Sequence, residues 1–173
     1  MTNSIYLPND VYIEAVKIEI AKGKQVRLRT KGQSMIPFIT GNRDQIIIEQ
    51  VNDNSFLKGA ILLVQLSEKR FVAHRVWKVK ENNMLILRGD GNIRQVEQCS
   101  RNNVIAEIIA VIKNGKIIKK GSFRWNVSRF LWPSNPILRR LFLGIRRKIQ
   151  LIHENKGTVF NQENRQGIYH GVQ

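Results

Sequence analysis

Three short segments put a hydroxyl, an imidazole and a carboxylate on backbone that can hold them still. In Lys31-Gly32-Gln33-Ser34-Met35-Ile36-Pro37, Gly32 lets the chain bend close to a substrate and Pro37 fixes the exit. Ser34 is thereby held exposed on a rigid corner, as a nucleophile or as a capping, solvated hydroxyl. Phe71-Val72-Ala73-His74-Arg75-Val76-Trp77 is a β run, and strand alternation puts His74 on the face of Val72 and Val76, pointing inward. An inward histidine is either a satisfied core residue or a base. Arg88-Gly89-Asp90-Gly91-Asn92 is a tight turn that presents Asp90, and taken alone it is also what an ordinary hairpin turn looks like. Hydroxyl, imidazole and carboxylate are the residue types that nucleophilic catalysis combines.

The surrounding elements decide whether the three can meet. Asn9 or Asp10 caps a helix over about 10–22, with Val11, Ala15 and Ile18, joined by Val16 and Ile20, at helical spacing and Gly23 as its stop. From Gln25 onward the texture changes to β runs: Val26–Thr30, Gln45–Val51, Ala60–Leu66, Phe71–Val79, Met84–Arg88, Val104–Ile112 and Lys116–Ile118. Thr40-Gly41-Asn42, Asn52-Asp53-Asn54, Glu81-Asn82-Asn83 and Asn114-Gly115 separate them as turn formers, and Asn114-Gly115 fits a two-residue hairpin. The pattern predicts a mostly-β domain over 23–122, with antiparallel neighbours, behind an N-terminal segment and helix over 1–22.

The chain of 173 residues carries 29 Lys and Arg against 13 Asp and Glu, a net charge of +16 that invites an anionic partner. Residues 108–153 hold eleven Lys or Arg and no acid. Ser134 or Asn135 before Pro136 starts a helix whose Leu138, Leu141, Phe142, Ile145, Ile149 and Ile152 share one arc of about 100°. We therefore expect a basic amphipathic helical extension over 123–153, and 154–173 as a mobile tail. The polar start MTNSIYLPND, broken by Pro8, does not read as a signal peptide, and apolar stretches such as Ala60–Val64 fall far below the roughly 20 residues a membrane span needs. The expected location is cytoplasmic or at a membrane periphery. A single cysteine, Cys99, excludes an internal disulfide framework and Cys₂ or Cys₄ zinc sites, and no cofactor or metal is called for.

Taken in order, the three segments resemble the boxes of the S24/S26 serine peptidases, the superfamily of signal peptidases and LexA-type repressors. Gly32-Gln33-Ser34-Met35-Ile36-Pro37 is similar to the G-x-S-M-x-P nucleophile box. Ala73-His74-Arg75-Val76, with His74 forty residues after Ser34, resembles the H-R-V box of endoplasmic-reticulum, archaeal and sporulation signal peptidases, in which histidine replaces the bacterial catalytic lysine. Arg88-Gly89-Asp90-Gly91-Asn92 is similar to the G-D-x-N box. The likeness spans about residues 23–120. It departs from the family at Lys58-Gly59-Ala60 and at Gly41-Asn42, each standing where Gly-Asp is usual.

The resemblance implies a LexA/signal-peptidase-like β domain with an N-terminal helix and a C-terminal amphipathic helix. It implies acyl transfer: neutral His74 takes the proton from Ser34 Oγ, the alkoxide attacks a peptide carbonyl, and the acyl-enzyme is hydrolysed. A histidine titrating near the usual value of about 6.5 is mostly neutral at pH 7, whereas the rival base by spacing, Lys69, sits in a polar turn that keeps it charged. Asp90 is expected to orient His74 or to brace the turn; Glu97 is the nearest candidate for a second acid. The Ser34 backbone N–H is the expected oxyanion donor, and Gly32, Gln33, Met35 and Pro37 form the expected oxyanion and substrate-binding surround. A peptide or preprotein, leader or signal-like, would enter extended as an added strand beside the run that carries Ser34.

The alternative is a non-catalytic basic β module that binds nucleic acid or an anionic surface through its charge and Phe123, Trp125, Phe130 and Trp132. No recognised nucleic-acid motif supports it, and only about 22 residues precede the β region, too few for a helix-turn-helix unit. For the extension, the expectation is peripheral contact with an anionic membrane through 123–153, against packing of Leu138–Ile152 on the β domain.

Overall fold

An antiparallel sheet of eight strands organises the molecule in a computed structural model that describes residues 9–67 and 70–130, together with Arg140, Gly144 and Ile145. The elements run α1 (Asn9–Ala21), β1 (Val26–Arg29), β2 (Gln45–Glu49), β3 (Ile61–Ser67), β4 (Arg70–Val79), β5 (Met84–Arg88), β6 (Glu97–Ser100), β7 (Val104–Lys113), β8 (Lys116–Lys119) and α2 (Phe123–Phe130). Short 3-10 turns at Asp53–Phe56 and Arg101–Asn103 lead into β3 and β7. The strand order is β1-β2-β7-β3-β4-β5-β6, with β8 also paired to β7. The central strand, β7, is long enough to hold β3 along 104–107, β8 along 110–113 and β2 along 107–112.

Alternation along the strands gives the sheet two apolar faces. Ile61 and Leu63 of β3 join Ile48, Ala106 and Ile108 in one core, whereas Leu62 and Val64 join Val76, Leu85, Leu87 and Cys99 in the other. A fully buried isoleucine such as Ile48 or Ile61 contributes about 1.5–3 kcal/mol. One extra residue on β4, Trp77, interrupts its ladder with β5, which bends the strand just beyond His74 and Arg75. Asn114 and Gly115 both take the left-handed conformation of a two-residue hairpin, as their types require.

Four expectations are corrected. The buried face of α1 is Ile13, Val16 and Ile20, while Val11, Ala15 and Ile18 are exposed. Both stripes are apolar at helical spacing, so periodicity could not choose between them; contact with the core that contains Leu28 does. Strand β6 was not expected, because Glu-Gln-Cys-Ser lacks β-branched and aromatic residues. Residues 123–130 form a helix of their own, α2, whose Trp125 is buried edge-on to Phe38 at 5.2 Å, so it is core and not an aromatic free for nucleic acid or membrane. The chain accordingly divides between Trp132 and Pro133.

In the unit from Pro133 to Gln173, Arg140, Gly144 and Ile145 are helical and exposed; the rest of the expected 136–152 helix and the 154–173 tail lie outside the described residues. No helix among the described residues is long and apolar enough to cross a membrane.

Candidate active site

Ser34 opens a turn between β1 and β2 that is fixed from three sides. Met35, Phe38 and Ile39 drive one side into the core, so the Met35 side chain anchors the turn and does not line a substrate path as expected. Lys113, at the end of β7, donates from Nζ to the carbonyls of Pro37 (3.0 Å) and Phe38 (2.8 Å). The same ammonium lies 3.3 Å from the buried carboxylate of Asp44, which also accepts from the Thr40 N–H at 2.8 Å. Burial raises the Asp44 pKa, but the Thr40 N–H, Arg43 and Lys113 outweigh it and hold the carboxyl below its ordinary value. On the third side, the Gly91 N–H donates to the Ser34 carbonyl at 2.7 Å.

Two glycines make this clamp possible. A Cβ on Gly41 would overlap the Gly32 carbonyl oxygen. A Cβ on Gly89 would run into the Ser34 carbonyl oxygen and come within 3.0 Å of His74 Nε2. The Gly89 turn thus lies close to both the Ser34 turn and the imidazole, bringing all three sequence segments to one place. Ser34 is half-buried, Gly32 and Gln33 are exposed, and the Ser34 backbone N–H donates to none of the described residues.

His74 lies on β4 opposite Leu62, inward with Val72 and Val76 as alternation requires, and is 2% exposed. Its Nδ1 lies against Glu97 Oε2, and the other Glu97 oxygen takes Arg70 Nη2. A carboxylate on Nδ1 keeps the proton of the neutral ring there and leaves a lone pair on Nε2. The Nδ1–Oε2 approach is an ion-pair contact without hydrogen-bond geometry, and Nε2 is buried with no hydrogen-bond partner among the described residues, Ser34 Oγ included. Burial pushes the His74 pKa below its ordinary 6.5, the Glu97 carboxylate opposes this, and Arg70 adds to the lowering.

Asp90 pairs with Arg75, and its charge also acts on His74, raising the histidine pKa. Both of its oxygens are taken by Arg75, Nε to Oδ1 at 3.0 Å and Nη2 to Oδ2 at 2.8 Å, while Arg75 Nη1 donates to the Gly59 carbonyl at 3.0 Å. Of the two roles expected for Asp90, the geometry gives it the bracing one. Arg88 completes the brace, donating from Nε to the Asn92 carbonyl (3.3 Å) and from Nη2 to the Ile93 carbonyl, with its guanidinium over Trp77.

The residue underweighted by the sequence is Glu97, which sits on the unexpected strand β6. Its signal was there: Glu97 and Cys99 are two apart and flank the exposed Gln98, the alternation of an inward pair. The Cys99 thiol is pushed up to about 11 by burial and by Glu97, so it is protonated and unreactive at neutral pH. Lys69, the rival base, lies outside the described residues. No protein-family model matches the chain, and no curated protein does.

Proposed function

We propose that the chain is a serine endopeptidase of the signal-peptidase-like type, with Ser34 as nucleophile, His74 as general base and then acid, and Glu97 as the group that fixes the histidine tautomer. One observation carries the reading. A buried imidazole has its Nδ1 on a carboxylate and its unpartnered Nε2 against the glycine backbone that touches the Ser34 turn. A histidine that served only the core would have its nitrogens hydrogen-bonded, since buried polar groups left unpaired cost about 1–3 kcal/mol, whereas here Nδ1 has only the carboxylate contact and Nε2 has none.

In this mechanism the peptide carbonyl approaches Ser34, Nε2 takes the Oγ proton, and the alkoxide adds to the carbonyl carbon. The Ser34 N–H receives the oxyanion. Imidazolium then protonates the leaving amine, and water, deprotonated by the same nitrogen, releases the acid product. In the resting site Ser34 Oγ and Nε2 are not hydrogen-bonded, so bound substrate completes that contact. The order of the three boxes and the mostly-β antiparallel sheet support the LexA/signal-peptidase-like architecture as part of the same reading.

Covalent labelling tests it directly. A fluorophosphonate should modify Ser34, identified by peptide mapping, in wild type and not in His74→Gln. Labelling of another serine, or equal labelling of both proteins, would end the proposal.

A further inference from the structure

β1 is an edge strand: among the described residues it pairs with β2 alone. Its faces are sharply different. Leu28 is buried in the core that also holds the inward face of α1, while Arg27 and Arg29 are exposed on the other side. The outward row continues through neutral side chains, Ile47 opposite Arg27 and Gln45 opposite Arg29, then Ala110 and Ile112 on β7. Arg27 Nε donates to Gln45 Oε1, and no carboxylate pairs with Arg27 or Arg29 among the described residues. The acids nearest in sequence are engaged elsewhere, Glu14 with Lys17, Glu19 with Lys22 and Lys24, and Asp44 with Arg43 and Lys113, while Glu49 accepts from Gln25.

An edge strand with one row of backbone groups open is a template for another extended chain. Side chains of the incoming strand would alternate, every second one lying beside Arg27 or Arg29 on the outward face and the others over the edge of the Leu28 core. The chain passes from Arg29 through four residues to Ser34, so a strand added here leads to the Ser34 turn. We propose that β1 recognises an extended peptide with acidic side chains at alternate positions and small or apolar ones between them, and that such a segment next to the scissile bond defines the substrate class. The inference rests on the peptidase reading for what happens after binding, and on β1 alone for the binding.

The test separates the two. Fluorescein-labelled octapeptides alternating Glu and Thr, alternating Gln and Thr, and carrying four Glu followed by four Thr are titrated into full-length Ser34→Ala protein by anisotropy. The alternating Glu peptide should bind roughly threefold to tenfold more tightly than either of the others, as expected for two cross-strand charge pairs. Arg27→Gln/Arg29→Gln, both surface changes, should erase that margin, and bound peptide should slow amide exchange at Val26–Arg29. Equal affinity for the alternating and blocked Glu peptides would assign the arginines to general anion attraction and overturn the inference, as would a margin that survives the double substitution. Fluorophosphonate labelling of Ser34 in the wild-type protein reports separately on the chemistry. Labelling without the alternating-Glu preference removes only the acidic substrate class; the preference without labelling leaves recognition at β1 standing and ends the peptidase reading.

Discussion

His74 and Arg75 are neighbours on β4, and alternation sends them to opposite faces of one sheet, where each meets an acid. The outcomes differ. Arg75 and Asp90 form a saturated unit, a two-point ion pair whose third guanidinium nitrogen is spent on Gly59, with Phe38 beside it. His74 and Glu97 form an unsaturated one, an imidazole with one nitrogen on a carboxylate and the other unspent. A saturated pair holds backbone in place, here the Gly89–Asn92 turn against Ser34. An unsaturated pair can exchange a proton. The comparison reverses the ranking of the two acids that motif order suggested: Arg75 and Asp90 brace the Ser34 turn, and under the proposed function His74 and Glu97 are the pair that moves a proton.

The most severe way to break this contrast is His74→Gln, which keeps the volume and removes the base. Peptide hydrolysis should fall by about 10²–10⁴-fold with the thermal midpoint nearly unchanged, as should hydrolysis by Ser34→Ala. A variant that keeps its turnover would make His74 a core residue. Next in size is Arg75→Met, which strips the buried Asp90 of its guanidinium. Removing one partner of such a pair costs about 3–5 kcal/mol, read as a lower urea midpoint. The fraction that remains folded should keep most of its kcat, with the kcat/KM midpoint moved up by the uncompensated Asp90 charge; a large loss of kcat at unchanged stability would move this pair into the chemistry. A comparable structural penalty is expected for Gly89→Ala, since the added methyl meets the Ser34 carbonyl and His74 together.

Most of this scaffold was legible in the sequence, and the exceptions share a cause. Seven of the eight strands follow from β-branched runs and the turn residues between them, and the inward direction of His74 follows from alternation alone. Missed were features that depend on which surfaces meet. The choice between two apolar stripes on α1, the burial of Trp125 against Phe38, and the pairing of Asp90 with Arg75 are all set by contacts between segments far apart in the chain. Glu97 was underweighted for a related reason: its strand carries no propensity of its own and forms because β5 offers Leu87 and Leu85 as register partners to Glu97 and Cys99. The acid that contacts the imidazole therefore comes from the segment whose structure is most dependent on context.

The finest test uses the charges strung along Arg70, Glu97 and His74. Burial holds His74 below the ordinary histidine value of 6.5, so kcat/KM should rise with pH through a midpoint under 6.5. The same displacement makes folding pH-dependent. Below pH 6.5 the unfolded chain takes up a proton that the folded chain refuses, so the His74 contribution to stability is lost as pH falls from 6.5 toward the folded pKa, and His74→Gln should flatten that loss. Glu97 raises the histidine pKa and Arg70 lowers it, so the two ends of the string should act oppositely. Glu97→Gln should move the kinetic midpoint to lower pH and cut kcat, because the tautomer loses its carboxylate. Arg70→Gln should move the midpoint up while leaving kcat on the plateau close to wild type, since Arg70 touches the acid and not the ring. Midpoints that shift in the same direction, or an unmoved midpoint in both variants, would mean that the titrating base is a different group, and would separate His74 from the catalytic step while leaving the Arg75–Asp90 brace intact.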